Sequence, residues 1–212
     1  MSTSTTRPLN DLVTRGWGTL SRTYDLPLVQ RLSYRPPHDE ILEQVRTSGA
    51  RRVADVGCGT GILAARIGDE IGPDLVYGCD PSTGMLTRAC ARSRRVRWFE
   101  RGAEDLRLPD GALDAIVSTH AFHFFDHRAA LREFHRVLAP GGLLAIVFNN
   151  FPGALARALQ PRALRDIAYF PAPAEFAEMV TAAGFSVTVQ RPVRRPIPAA
   201  LVPDVLTVAR RS

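Results

Sequence analysis

The chain predicts an α/β fold: a doubly wound, mostly parallel sheet with helices on both faces. Two observations carry this. Short apolar runs alternate with helical patterns from Val53 to Phe148, and a glycine-rich turn joins the first run to the first helix. Strands separated by helical segments pair in parallel through right-handed crossovers. A ligand of such a sheet lies beyond the carboxyl ends of its strands.

The glycine turn organises the rest. Val53 to Val56 reads as a buried strand, and Gly57, Gly59 and Gly61 follow it at two-residue spacing. Ile62, Leu63, Ala65 and Ile67 then fall at helical spacing. Glycines tolerate positive φ and let a ligand lie against bare backbone. Amides at the helix start are expected to point into the same crevice and to favour an anionic group. The spacing is G-x-G-x-G, not the G-x-G-x-x-G of dinucleotide folds, which disfavours a nicotinamide-dependent reductase.

The other elements follow in order. Asn10 to Leu32 has helical spacing, with Trp17, Leu20 and Tyr24 on one face, and Pro36-Pro37 closes that segment. Asp39 to Thr47 is an amphipathic helix, and Thr60 to Ile71 is the first crossover helix, stopped by Gly72-Pro73. Leu75 to Cys79 is a second strand ending in Asp80. An acid about 20 residues past a glycine turn suits ribose hydroxyls; the alternative for Asp80 is an N-cap, with Pro81 in the first helical turn. Arg95 to Glu100 alternates and forms a third strand, and Leu113 to Val117 a fourth. Arg128 to Leu138 is a helix, Ala139 to Gly142 a turn, and Leu143 to Phe148 a fifth strand. Ala174 to Ala183 is the last helix, capped by Gly184. Phe185 to Gln190 and Val205 to Ala209 complete seven strands.

Asp55 two residues before the first glycine, with Gly57-Cys58-Gly59-Thr60-Gly61, resembles motif I of the class I (Rossmann-like) S-adenosylmethionine-dependent methyltransferases. Arg136-Val-Leu-Ala-Pro-Gly-Gly142 before an apolar strand resembles the same family, of the small-molecule type. The matches run from about Trp17 to Phe148. The resemblance implies a seven-stranded sheet with an antiparallel C-terminal hairpin. It also implies that S-adenosylmethionine is bound by Asp55, Gly57, Cys58, Gly59, Gly61, Asp80, Pro81, Met85, Ala103, Glu104 and Ser118. Gly102 stands where the family carries an adenine-binding aspartate, so amides near Ala103 and Glu104, or Asp105, take that contact. Trp17, Tyr24, Phe122 and Phe124 are candidates to touch the acceptor. His123 is the candidate to take a proton from a hydroxyl acceptor, whereas His120 reads as packing.

Length and composition bound these expectations. The 212 residues are expected to form one domain: a helical cover over 1–35, a cofactor-binding core over 36–148, a short lid over 149–172, and the last helix and edge hairpin over 173–212. No apolar run is long enough to span a bilayer, and the first ten residues have no apolar signal core. Three sparse cysteines fit a cytoplasmic protein and show no metal-ligand spacing. All 27 basic side chains counted in the net charge of +6 are arginines, scattered among acids. This patterning, and the absence of an Asn/Asp-Pro-Pro-aromatic run after Val117, points away from nucleic acid and toward a small-molecule acceptor. An RNA methyltransferase and a non-catalytic cofactor-binding module stay open as alternatives. The oligomeric state is not encoded in any motif.

Overall fold

The computed structural model describes residues 34–150, 169–196, 198 and 202–212. Helix α1 spans Arg35–Ser48 and leads into β1, Arg52–Val56. Helix α2, Ile62–Arg66, continues as a wider π turn over Ile67–Ile71. Then come β2 (Leu75–Asp80), α3 (Thr83–Arg92) and β3 (Val96–Glu100). Strand β4 (Leu113–Thr119) is followed by one 3-10 turn, Phe122–Phe124, and α4 (His127–Val137). Strand β5 (Leu138–Asn149), α5 (Pro173–Ala182), β6 (Phe185–Pro192) and β7 (Asp204–Arg211) complete the order.

The strands form one seven-stranded sheet in the order β3-β2-β1-β4-β5-β7-β6. The first five are parallel, and β7 runs antiparallel to both β5 and β6. The chain reverses its direction of travel across the sheet between β1 and β4, which is where a crevice opens in doubly wound sheets.

Strand alternation sorts the core into two layers. Val53, Val117, Ala145 and Val208 pack with Ile41, Leu42 and Val45 of α1 and with Leu63 and Ile67. Ala54, Ile116, Ile146 and Phe148 pack with Leu131 and Phe134 of α4 and Phe176 and Val180 of α5. Each side of the sheet therefore buries its alternate residues under helices, as the binary pattern requires.

Three expectations are corrected. Pro36 and Pro37, expected to close the preceding segment, sit in the first turn of α1, where proline's missing N–H is not required. Pro81 lies outside α3, because Ser82 is the N-cap and its hydroxyl accepts the Met85 amide at 3.4 Å. The Ala139–Gly142 turn is absorbed into the irregular start of β5, with Gly141 at φ 72° and a register shift between Leu113 and Ala115. The N-terminal segment to residue 33 and residues 151–168, expected as cover and lid, lie outside the described residues.

Two glycines make room for one tryptophan. A Cβ on Gly78 would stand 2.2 Å from Trp98 Cζ3, and one on Gly61 would stand 2.4 Å from Trp98 Cη2. The indole N–H donates to the Ser93 carbonyl at 3.1 Å, which fixes the ring. We predict that Gly78→Ala destabilises the fold by about 1–3 kcal/mol through overpacking. Pairing it with Trp98→Leu should recover part of that loss, as neighbouring sites couple. Chemical denaturation of the four proteins of this cycle checks it; additive losses contradict the packing account.

Candidate functional site: the carboxyl edge of the sheet

The glycine turn leaves β1 with Gly57, Gly59 and Gly61 all left-handed, at φ 72°, 54° and 76°. Their reasons differ. A Cβ on Gly57 would collide with Ala121 Cβ at 2.3 Å, so the turn packs directly on the segment that follows β4. A Cβ on Gly59 would meet nothing within 4 Å. Space therefore lies open beside Gly59.

The amides of the turn itself are mostly committed. Gly57 and Cys58 donate to the Cys79 carbonyl at 2.8 and 3.0 Å, and Gly61 donates to the Cys58 carbonyl at 2.9 Å. Gly59 N–H donates to Asp80 Oδ2 at 2.9 Å. The turn thus offers bare backbone and room, not a row of free donors.

Asp80 closes β2 and holds two loops together. Its Oδ1 accepts the Ser82 amide at 2.9 Å while Oδ2 takes Gly59. Burial raises its pKa against the pull of these two amides. Each oxygen keeps a lone pair for a further donor. The N-cap reading of Asp80 is not realised, since Ser82 has that role.

Asp55 lies in β1 and is 1% exposed, with neither carboxylate oxygen hydrogen-bonded. Burial pushes its pKa up to about 7; the nearby Ala64 amide opposes the shift without reaching bonding geometry, and Asp80 adds to it. Burial, then the charges of Asp55 and Asp80, hold the Cys58 thiol protonated, so Cys58 packs and does not react. Met85 is buried one turn into α3.

The remaining expected residues divide. Ala103 is buried in the loop after β3. The Glu104 carboxylate accepts the Asp126 amide at 2.8 Å, so its side chain anchors the start of α4. Asp105 pairs with Arg107 at 3.1 Å and stays on the surface. Ser118 is fully buried in β4, and its hydroxyl is unpartnered. Phe122 belongs to the core: it is fully buried, stacks on His127 at 4.3 Å and meets Phe176 edge-on at 4.8 Å. Phe124 is half-buried beside His123. Trp17 and Tyr24 lie outside the described residues.

His123, the candidate proton acceptor, is buried. Its ring stacks on Phe170 at 4.5 Å, and burial, with His120 and His127 nearby, lowers its pKa to about 3. A base that weak is poorly matched to a hydroxyl proton.

Residues that sequence reasoning missed cluster at the neighbouring strand ends. Asn149 closes β5 opposite Asp204, which opens β7. His120 sits at φ 53° just past β4, with Nε2 3.1 Å from Asp204 Oδ2, and Arg195 also reaches that carboxylate. An aspartate opening an apolar strand, Asp204-Val-Leu-Thr-Val, was the available signal.

This fold and edge define the class I methyltransferase architecture. A methyltransferase-domain family model matches residues 54–146. The demethylmenaquinone methyltransferase of Thermus thermophilus is 34% identical over 167 residues, which is 65% of this chain and 75% of the relative. An uncharacterised methyltransferase of Mycobacterium bovis is 36% identical over 113 residues, or 52% of this chain, and the match spans only 56% of that protein. A chain from the complex between the Haloferax volcanii Trm112 methyltransferase activator and a methyltransferase superposes with a TM-score of 0.75 at 21% identity, covering 93% of this chain and 97% of that one. At that identity the likeness speaks for the fold. The chain belongs to the S-adenosylmethionine-dependent, Rossmann-like methyltransferases. No helix among the described residues is long and apolar enough to cross a membrane.

The burial of His123 has a testable consequence. Its imidazole should stay neutral from pH 8 to pH 5 by NMR, because its folded pKa lies below the ordinary 6.5. The sign for stability follows: a histidine buried neutral destabilises the fold as pH falls below 6.5 toward 3. A titration midpoint near 6.5 contradicts this placement.

Proposed function

We propose that the protein binds S-adenosylmethionine along the carboxyl edge of β1, β2 and β4 and transfers its methyl group to a small-molecule acceptor. The observation that carries the reading is the open space beside Gly59, bordered by the buried carboxylate of Asp80. A group that is cationic at sulfur and carries ribose hydroxyls suits such a site: hydroxyls can donate to Asp80, and the acids Asp55 and Asp80 suit positive charge. In this reading Asp55, Gly57, Cys58, Gly59, Gly61 and Ser118 border the methionine part. Asp80, Pro81 and Met85 border the ribose and adenine, and Ala103 and Glu104 the far edge of the adenine, through backbone atoms.

The donor, when bound, supplies an already activated methyl carbon. The chain's own work is then to hold that donor, align the acceptor and keep water out. His123 gives little help with a proton, so an acceptor oxygen that is already ionised, or ionises readily, fits best. The Thermus relative is named for a small acceptor, demethylmenaquinone, which supports the small-molecule reading. The free cysteines fit a reducing, cytoplasmic setting.

Calorimetry with S-adenosylhomocysteine tests the reading. The product should bind, and NAD should not. Asp80→Ala removes a charged acceptor and should weaken S-adenosylhomocysteine by about 10–100-fold. Gly59→Val should abolish binding. The left-handed backbone there adds a stability cost of about 2 kcal/mol, which a parallel thermal melt separates from lost contact. Undiminished binding in both variants, tight NAD binding, or methyl transfer to RNA at physiological salt contradicts the proposal.

A further inference from the structure

Beside the glycine turn, where β4, β5 and β7 reach the same rim, a second set of polar side chains is buried. Asp204 is 1% exposed. Its Oδ1 accepts Asn149 Nδ2 at 2.7 Å, and its Oδ2 accepts Arg195 Nη2 and faces His120 Nε2 at 3.1 Å. The set is held from outside. Arg191 makes two 2.7 Å bonds to the Glu40 carboxylate of α1, and the same carboxylate takes the Arg194 amide at 3.1 Å. This clamp fixes the backbone just before Arg195.

Arg195 is the anomaly. Its side chain is only 1% exposed, yet Nε and Nη1 have no hydrogen-bond partner. Asp204 balances its charge but uses one nitrogen of three. Unmet donors on a buried guanidinium are costly and call for an acceptor. His120 shares the pattern: it is held in left-handed backbone at φ 53°, and both its ring nitrogens are buried without a hydrogen bond, Nε2 lying 3.1 Å from Asp204 Oδ2. Such backbone strain collects at functional sites.

Position supplies the rest. Ala121, the residue after His120, is the one that a Cβ on Gly57 would strike. The set therefore adjoins the glycine turn, on the β4–β5 side, away from Asp80. A guanidinium has only donors, so the occupant must bring acceptor oxygens, and a carboxylate makes the strongest such bonds.

We infer that Arg195 and His120 hold a carboxylate of the methyl acceptor. This rests on the methyltransferase reading above and names the acceptor class: a small organic acid. Asp204 and Asn149 act as positioning residues that orient the two ligands. His120 directs Nε2 to Asp204 and presents Nδ1, a donor whenever the ring is protonated.

The test uses benzoate as probe and benzamide as its neutral isostere, each titrated into the full chain with and without S-adenosylhomocysteine. NMR follows the Arg195 Nε–H and the His120 ring. Benzoate should shift both signals saturably and bind at least about fivefold tighter than benzamide. Arg195→Met should weaken benzoate by about tenfold or more, the loss expected for a charged hydrogen bond. That variant strands the Asp204 charge, so Arg195→Met with Asp204→Asn is measured alongside it and should show the same loss. Equal binding of the two probes, an unmoved Arg195 signal, or full benzoate affinity in the double variant overturns the inference. Failure of S-adenosylhomocysteine to bind the wild-type chain overturns the methyltransferase reading instead, while the titrations without it still decide the carboxylate site.

Discussion

The carboxylate of Asp80 is the contact on which the edge of this molecule depends. Two 2.9 Å hydrogen bonds join the turn after β1 to the turn after β2 through one buried side chain. Without it, Gly59 would keep its left-handed backbone but lose the bond that holds its amide. Ser82 would lose the bond that sets its backbone for capping α3. Open space lies beside Gly59, which this bridge holds, while a Cβ on Gly57 would strike Ala121.

The same edge concentrates cost. Asp55 is buried with both oxygens unpaired, and its pKa is pushed up to about 7. Ser118, His120 and Arg195 bury unpaired polar atoms along the neighbouring strand ends. Such groups are rare in a folded interior. These four gather at one rim of an apolar sheet, while Arg66 and Arg211 bury unpaired nitrogens elsewhere.

Much of the fold was legible in the sequence, because strand and helix periods differ and the chain keeps each one cleanly. Each of the seven strands overlaps its predicted run or alternation, with β5 starting earlier than expected, and the antiparallel place of β7 follows the resemblance to the family. The errors arose where one residue type serves two purposes. Pro36 and Pro37 read as a stop and act as a start. Phe122, a candidate to touch the acceptor, is fully buried. Burial and long-range partners are invisible in a local pattern: His123 stacks on Phe170, and His120 meets Asp204 from 84 positions away in the chain. The arginines read correctly as dispersed. Arg52 pairs with Asp114, Arg136 with Glu133 and Asp110, and Arg191 with Glu40.

The central claim is that one edge of the sheet receives the methyl donor. Amide hydrogen exchange with and without S-adenosylhomocysteine tests it most directly. The account predicts that added protection appears at Gly57 to Gly61, at Ser82 and in the loop from Gly102 to Leu106, and is absent from β6 and the distal half of β7. Protection centred on that antiparallel edge, with the glycine turn unchanged, would contradict it.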